Sequence, residues 1–173
     1  MQRTPIKITT YESPCGTLML GSIDDMLCLC DWSAAKRCRQ AVEKLKRALN
    51  SEIEEGTSAV IEKAAAQLDE YFAGQRTAFD VPLLFVGTDF QKTIWNELRK
   101  IAFGTTVSYG EIARQIGMPK AVRAVANAIG ANVISIFVPC HRVVGSNRLL
   151  SGYRGGPEAK LKLLDREDCS FSK

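Results

Sequence analysis

The stretch VSYGEIARQIGMPKAVRAVANAIGANVISIFVPCHRVV, residues 107–144, decides the fold of this chain and holds its single histidine, His141. Ser108-Tyr109-Gly110-Glu111 has the form of a capping box, in which the hydroxyl caps an orphan amide and the acid three residues on reaches back. It opens a helix over Glu111–Ile116. Gly117-Met118-Pro119-Lys120 reads as a turn, and Ala121–Gly130 as a second helix. On that helix Val122, Val125 and Ile129 form the buried stripe, while Arg123 and Asn127 share another face at i, i+4. Such a helix-turn-helix presents side chains to DNA, or simply packs in a core with Arg123 solvated; the pattern leaves both open. Ile134–Val138 is a β-branched and aromatic run, read as a short buried strand leading to Cys140 and ended by Pro139.

Cys140, His141 and Arg142 are consecutive. A free thiol has a pKa near about 8.5, so a nucleophilic cysteine needs a base or a positive environment, and both follow Cys140 directly. A Cys-His dipeptide is also compatible with plain burial, because cysteine is among the most buried residue types. Neighbours on an extended chain point to opposite faces. Direct contact between thiol and imidazole therefore requires a turn at Pro139; a bridging water is the other route for the proton.

Outward from this stretch, Thr88-Asp89-Phe90-Gln91 is a second capping box, opening a helix with Ile94, Trp95 and Leu98 on one face. Downstream, Gly145–Gly156 is a glycine-rich loop carrying Tyr153 and Arg154, and Pro157 fits the first turn of a last helix. There Lys160, Leu164 and Glu167 fall at i, i+4, i+7. Glu167 is either the third group that orients an imidazole or a surface acid near a helix end. Upstream, Ile6–Tyr11, Leu18–Gly21 and Met26–Cys30 read as strands around a Ser13-Pro14-Cys15-Gly16 turn. Helices are expected from Ser33 to about Leu49 and over Ala59–Ala73, and Gly74–Gly87 reads as a connection. The fold class is thus an α/β N-terminal domain, a small sheet plus helices over 1–87. A mostly α C-terminal domain over 88–173 follows, with a helix-turn-helix and a short strand leading to the cysteine.

The 173 residues, 46% apolar and 24% charged, suit an ordinary globular protein. No apolar run is long enough to span a membrane and no signal-peptide pattern opens the chain. Six cysteines at 15, 28, 30, 38, 140 and 169 lack a disulfide-scaffold pattern, which points to the reducing cytoplasm. Cys28 and Cys30 share a strand face; no histidine or Cys-x-x-Cys supports a metal there, and core packing is the simpler reading. The net charge of +4 is uneven: residues 1–87 carry ten Lys/Arg against twelve Asp/Glu, residues 88–173 thirteen against seven. The basic half holds the Cys-His pair, which suggests an anionic partner there.

Taken together these segments resemble the methylated-DNA–protein-cysteine methyltransferases, the O6-alkylguanine-DNA alkyltransferase family. The resemblance rests on Thr-Asp-Phe-Gln at 88–91 with Trp95, Val-Ser-Tyr-Gly-Glu-Ile-Ala at 107–113, Arg-Ala-Val at 123–125 and Asn132. Pro-Cys-His-Arg-Val at 139–143 and Gly-Tyr-Arg-Gly-Gly at 152–156 complete it, in family order and spacing. It implies a single-turnover transfer of an alkyl group from guanine O6 to Cys140, with no cofactor and no metal. It implies that His141 deprotonates Cys140 through a water and that Glu167 holds His141. Tyr109 would protonate the departing guanine at N3 and crowd the 3′ phosphate, Arg123 would fill the gap in the stack, and Asn132 would pin the turn before the cysteine. Ser108, Lys160, the Val143 carbonyl, Tyr153 and Arg154 would complete the base pocket, and Ala121, Ala124, Ala128 and Ala131 would permit close approach to the backbone. The implied partner is double-stranded DNA containing O6-alkylguanine, met by a monomer with no membrane association; O4-alkylthymine is a further substrate to test. A target inside a duplex is reached only by flipping the base out.

This chain departs from the family pattern at Val133, where proline usually follows the asparagine, and at Arg154, where small residues are common. It also lacks the N-terminal histidines with which some members bind zinc, and the separate phosphotriester-sensing domain of adaptive-response regulators is not expected. The competing readings are a non-catalytic helix-turn-helix regulator or lesion sensor, and a cysteine hydrolase. Lesion-sensing relatives lack the motif cysteine, and a hydrolase would turn over.

Overall fold

The computed structural model describes residues 4–34, 36–145 and 153–167. The chain divides into two compact units, Met1–Val86 and Gly87–Lys173.

In the first unit, strands β1 (Ile6–Ser13), β2 (Gly16–Ile23) and β3 (Met26–Trp32) pair antiparallel in sequence order. The β1–β2 connection is the expected turn. Asp24 and Asp25 close the β2–β3 hairpin with φ of 49° and 64°, the left-handed pair that a two-residue turn matched to strand twist requires. Leu18, Leu20, Leu27 and Leu29 are fully buried, and so are Cys28 and Cys30, which alternate with the two β3 leucines. Burial pushes the Cys28 thiol up to about 12, as an inert core residue demands. Helices α1 (Lys36–Leu49) and α2 (Ala59–Phe72) follow, and Ser58 caps α2 by accepting from the Ile61 amide at 3.2 Å. One element went unexpected: β4 (Ile53–Glu55) adds parallel to β1, giving the order β3-β2-β1-β4. Three residues, two of them exposed acids, carry no alternation to announce a strand.

The second unit is mostly helical. Helix α3 (Asp89–Leu98) opens with the full capping box, Thr88 accepting from the Gln91 amide and Gln91 from the Thr88 amide. Strand β5 (Val107–Ser108) leads into α4 (Tyr109–Gln115), where only the forward half of the second box forms, Ser108 Oγ accepting from the Glu111 amide. Gly117 turns the chain with φ of 76° into α5 (Val122–Gly130), completing the helix-turn-helix. Helix α5 packs on α3 and α4. Trp95 locks this packing by donating from Nε1 to the Ala128 carbonyl at 2.8 Å. Val125 and Ile129 are buried as expected, but Val122 is 38% exposed, as is Met118 at 46% in the turn. Val122 is the first residue of α5, and the buried side of the helix begins at Val125.

The run expected as a strand over Ile134–Val138 folds more tightly. Ser135 and Val138 form an isolated bridge across a turn in which Ile136 adopts φ of +74°. That conformation is costly for a β-branched residue, about 1–3 kcal/mol, and persists only where the surroundings impose it. The strand lies on the other side of the cysteine: β6 (Val143–Val144) pairs parallel with β5. Between them Cys140–Arg142 forms one turn of 3-10 helix, so the thiol and imidazole do not sit on an extended chain. Helix α6 (Gly156–Arg166), with Pro157 in its first turn, packs on this 3-10 turn. Among the described residues no helix is long and apolar enough to cross a membrane.

Candidate active site around Cys140

Asn132 organises the approach to the cysteine. Its Oδ1 accepts from the Ile134 amide at 2.9 Å, and its Nδ2 donates to the Val138 carbonyl and to Cys140 Sγ, both at 3.3 Å. One buried amide thus closes the 132–140 turn and places a donor on the sulfur. Burial pushes the Cys140 thiol up, against the Asn132 hydrogen bond and the charges of Lys160 and Arg154, which favour the thiolate. The adjacent Arg142, counted in the sequence as part of a positive environment for the thiol, spends its charge elsewhere.

His141 is completely buried. Its Nε2 lies 2.7 Å from Glu167 Oε2, while Nδ1 is buried and has no hydrogen-bond partner among the described residues. The last turn of α6 brings Glu167 here, and Arg142 completes the set. Arg142 Nε donates to Glu167 Oε1 at 2.7 Å, one terminal nitrogen to Oε2 at 3.1 Å, and the other to the Ile101 carbonyl at 2.7 Å. The guanidinium also lies 5.8 Å from the Phe103 ring centroid, within cation–π range. Gly104, at φ of 81°, turns its amide toward Glu167 Oε1 at 3.5 Å. Burial pushes the Glu167 carboxyl up, but His141 and Arg142 outweigh it and hold it at about 2. Burial in turn pushes His141 down, with Arg142 and Lys160 adding to that and Glu167 opposing. An ionised Glu167 accepts the Nε2 proton, which leaves the lone pair on Nδ1. The site therefore rests with a neutral imidazole whose open nitrogen is a base.

The two-residue pairing of β5 with β6 sets Ser108 against Val144 and brings Tyr109, the first residue of α4, to the same region. Tyr109 is half-buried, and its phenol is raised by burial and by the charge that develops on Cys140, so it stays a proton donor. Lys160 is buried on α6 and donates to the Val143 carbonyl at 2.6 Å. Burial lowers it to about 8, with Cys140 opposing. The Val143 carbonyl expected to face a base thus spends one of its two lone pairs on Lys160. Tyr153 and Arg154 are half-buried before α6; residues 146–152 of the glycine-rich loop lie outside the described residues. Arg123 is exposed on α5, apart from the buried cluster. Of the four alanines, Ala124 is exposed, while Ala128 is turned into the core against Trp95.

The structure therefore brings Cys140, Asn132, His141, Glu167, Lys160 and Tyr109 together and leaves Arg123 on the surface. Sequence reasoning missed the role of Arg142 and the Ile101 carbonyl and Gly104 amide that frame it; a cation beside the only histidine was the one available signal. Among the described residues no three of His, Cys, Asp and Glu converge as a metal-binding group.

Fold and site define a two-unit protein in which a helix-turn-helix unit shelters a hydrogen-bonded cysteine beside a buried carboxylate–imidazole pair. Two family models match: 6-O-methylguanine DNA methyltransferase, ribonuclease-like domain, over residues 6–85, and its DNA binding domain over residues 89–169. The chain is 41% identical over 157 residues to a methylated-DNA–protein-cysteine methyltransferase of Methanosarcina acetivorans, covering 91% of this chain and 95% of that protein. It is 40% identical over 169 residues to the constitutive methylated-DNA–protein-cysteine methyltransferase of Bacillus subtilis, covering 94% and 96%. The crystal structure of Mycobacterium tuberculosis OGT in complex with DNA superposes with a TM-score of 0.79 at 40% identity, over 93% of this chain and 92% of that one. The chain belongs to the 6-O-methylguanine DNA methyltransferase family.

Proposed function

We propose that this chain repairs double-stranded DNA by moving the alkyl group of O6-alkylguanine irreversibly onto Cys140 Sγ, each molecule acting once. The observation that carries the reading is a buried thiol with a donor on its sulfur, beside a neutral imidazole with an open Nδ1, on a helix-turn-helix unit. The acceptor domain is residues 88–173, and the cytoplasm is the compartment that keeps the thiol reduced.

The thiol proton passes through a bridging water to His141 Nδ1, and the imidazolium formed is held by Glu167. Sγ then attacks the alkyl carbon in line with the C–O6 bond; the S–C bond forms as the C–O6 bond breaks. The electron pair left on the guanine is met by a proton from Tyr109 at N3, and solvent evens the two proton transfers, so the thiol proton ends on the guanine. Thiolate is a poor leaving group from the thioether when water attacks the alkyl carbon, so the thiol is not regenerated. Because burial keeps Cys140 protonated at rest, the nucleophile is exposed only to a substrate that enters the pocket.

The target must leave the duplex, and a damaged pair is easier to open. Arg123, exposed on α5, occupies the gap. The exposed Met118 and Val122 beside it supply the apolar edge that minor-groove proteins use to unstack a step. The minor-groove face reads sequence poorly, which suits a repair protein. Ser108, Tyr153, Arg154 and Lys160 line the path to the thiol. Cys140→Ala tests this reading: alkyl transfer from duplex O6-methylguanine should be abolished while duplex binding persists. Transfer retained by that variant would refute Cys140 as the acceptor.

A further inference from the structure

Residues Met1–Val86 are acidic overall, yet their charges are segregated. Helix α1 (Lys36–Leu49) carries Lys36, Arg37, Arg39, Lys44, Lys46 and Arg47 against Glu43 alone, a net +5. The rest of the unit carries four Lys/Arg against eleven Asp/Glu. The apolar side of α1, Cys38, Ala41, Leu45 and Leu49, is buried. The opposite side, including Lys36, Arg39, Lys44 and Arg47, is exposed. Among the described residues Lys46 pairs with Glu52 at 3.4 Å, and Lys36, Arg39, Lys44 and Arg47 make no ion pair.

The fold alone does not ask for this arrangement. Lys36, Arg37 and Arg39 stand in the first turn, which holds no acid, at the end where the helix dipole favours anions and repels cations. Lys36 and Arg39, and again Lys44 and Arg47, are like charges at i, i+3, a spacing that weakens a helix. Only Lys46 and Arg47, in the last turn, suit the dipole. Alternating signs would have given the same solubility with a more stable helix, and such a local conflict is expected where a surface has a partner.

We propose that the exposed face of α1 is a second contact surface for the phosphodiester backbone of DNA, separate from the helix-turn-helix. The proposal rests on the reading of this chain as a DNA-repair protein. Fourteen residues make a helix about 21 Å long, and duplex DNA carries one negative charge per about 1.7 Å of axis. A cation array of that length thus meets several phosphates at once, where a small anion would meet one. A membrane surface fits less well: helices that lie in lipid offer a free apolar face, and the apolar face of α1 is already used in the core. The contact carries no base readout, so it adds affinity for any duplex and leaves lesion choice to the other unit.

The test uses the full chain and the variant Lys36→Gln/Arg39→Gln/Lys44→Gln/Arg47→Gln. Affinity for an unmodified duplex is measured across a salt series, alongside the rate of alkyl transfer from free O6-benzylguanine, which needs no DNA. Each phosphate that the variant no longer neutralises lowers the slope of log K against log salt by about 0.9, so its slope should be shallower by about 2 to 4. Its free-base rate should be unchanged, and its thermal midpoint equal to or above that of the parent chain. An unchanged slope and affinity would overturn the proposal. So would loss of binding to phosphatidylserine vesicles with the DNA slope intact, which would make the partner a membrane. A parent chain that takes no alkyl group from the free base, yet loses the same part of its salt slope in the variant, would sink the repair reading and leave this surface standing.

Discussion

Glu167 should make the acid stability of the helical unit steeply pH-dependent. Its carboxyl is held at about 2 against an ordinary 4.5, and its side chain is fully buried. At about 1.4 kcal/mol per tenfold change, ionised Glu167 stabilises the folded unit by about 3 kcal/mol at neutral pH. Because the folded value is depressed, that stability is present above about 4.5 and is lost as pH falls toward 2. His141, lowered by burial, works in the same direction: below about 6.5 the unfolded chain takes a proton that the folded one resists. Urea unfolding should therefore weaken gently below pH 7 and sharply below pH 5. The chain has two tryptophans, Trp32 in the first unit and Trp95 in the second, so Trp95 emission in a Trp32→Phe background reports the helical unit alone. Glu167→Gln by itself leaves Arg142 buried without its counter-ion, at about 3–5 kcal/mol. The comparison is therefore the double variant Arg142→Met/Glu167→Gln, which removes both charges and should lose the limb below pH 5. The same acid limb in parent and double variant would refute the ionised, shared Glu167.

Arg142→Lys keeps the charge but loses the fork on Glu167. His141 then has the carboxylate to itself, and the acid limb of transfer from free O6-benzylguanine should move to higher pH. Imidazole NMR of the only histidine should move with it, and an unmoved limb would contradict the role given to Arg142. Asn132→Ala strips the donor from Cys140 and frees the Ile134 amide, while the Val138 carbonyl keeps the Cys140 amide at 2.7 Å. Stability by urea titration should fall by about 1–3 kcal/mol, with slower thiol alkylation at fixed pH. Trp95→Phe takes the indole donor from the Ala128 carbonyl, which keeps only the Ala131 amide at 3.2 Å, and should cost about 0.5–1.5 kcal/mol in the same titration; no loss would mean α3 and α5 hold together by apolar contact alone.

Local signals carried most of the fold. Both capping boxes, the Ser13–Gly16 turn, Pro157 and the glycine at 117 are short-range chemistry, and each marks an element edge the structure contains. What failed was whatever depends on a packing or side-chain partner that periodicity does not encode. The β4 strand exists because β1 offers it an edge. Val122 has the right period for burial but stands exposed at the start of α5. The run before Cys140 has strand composition, yet Asn132 ties its two ends together and bends it. In the site, the cysteine and histidine are legible because they are adjacent. The distance from His141 to Glu167, 26 positions away, is set by the packing of α6 on the 3-10 turn, and the sequence left Glu167 open between orienting acid and surface charge. Arg142 was legible as a charge but not as the clamp on Glu167.

The most direct test of the account is the mass of the intact protein after incubation with an excess of duplex DNA containing O6-methylguanine. It predicts one methyl group per molecule, mapped to the peptide containing Cys140, with repair ceasing when every molecule carries one. Methylguanine consumed beyond one equivalent, or a thiol that stays unmodified while demonstrably free, would contradict it.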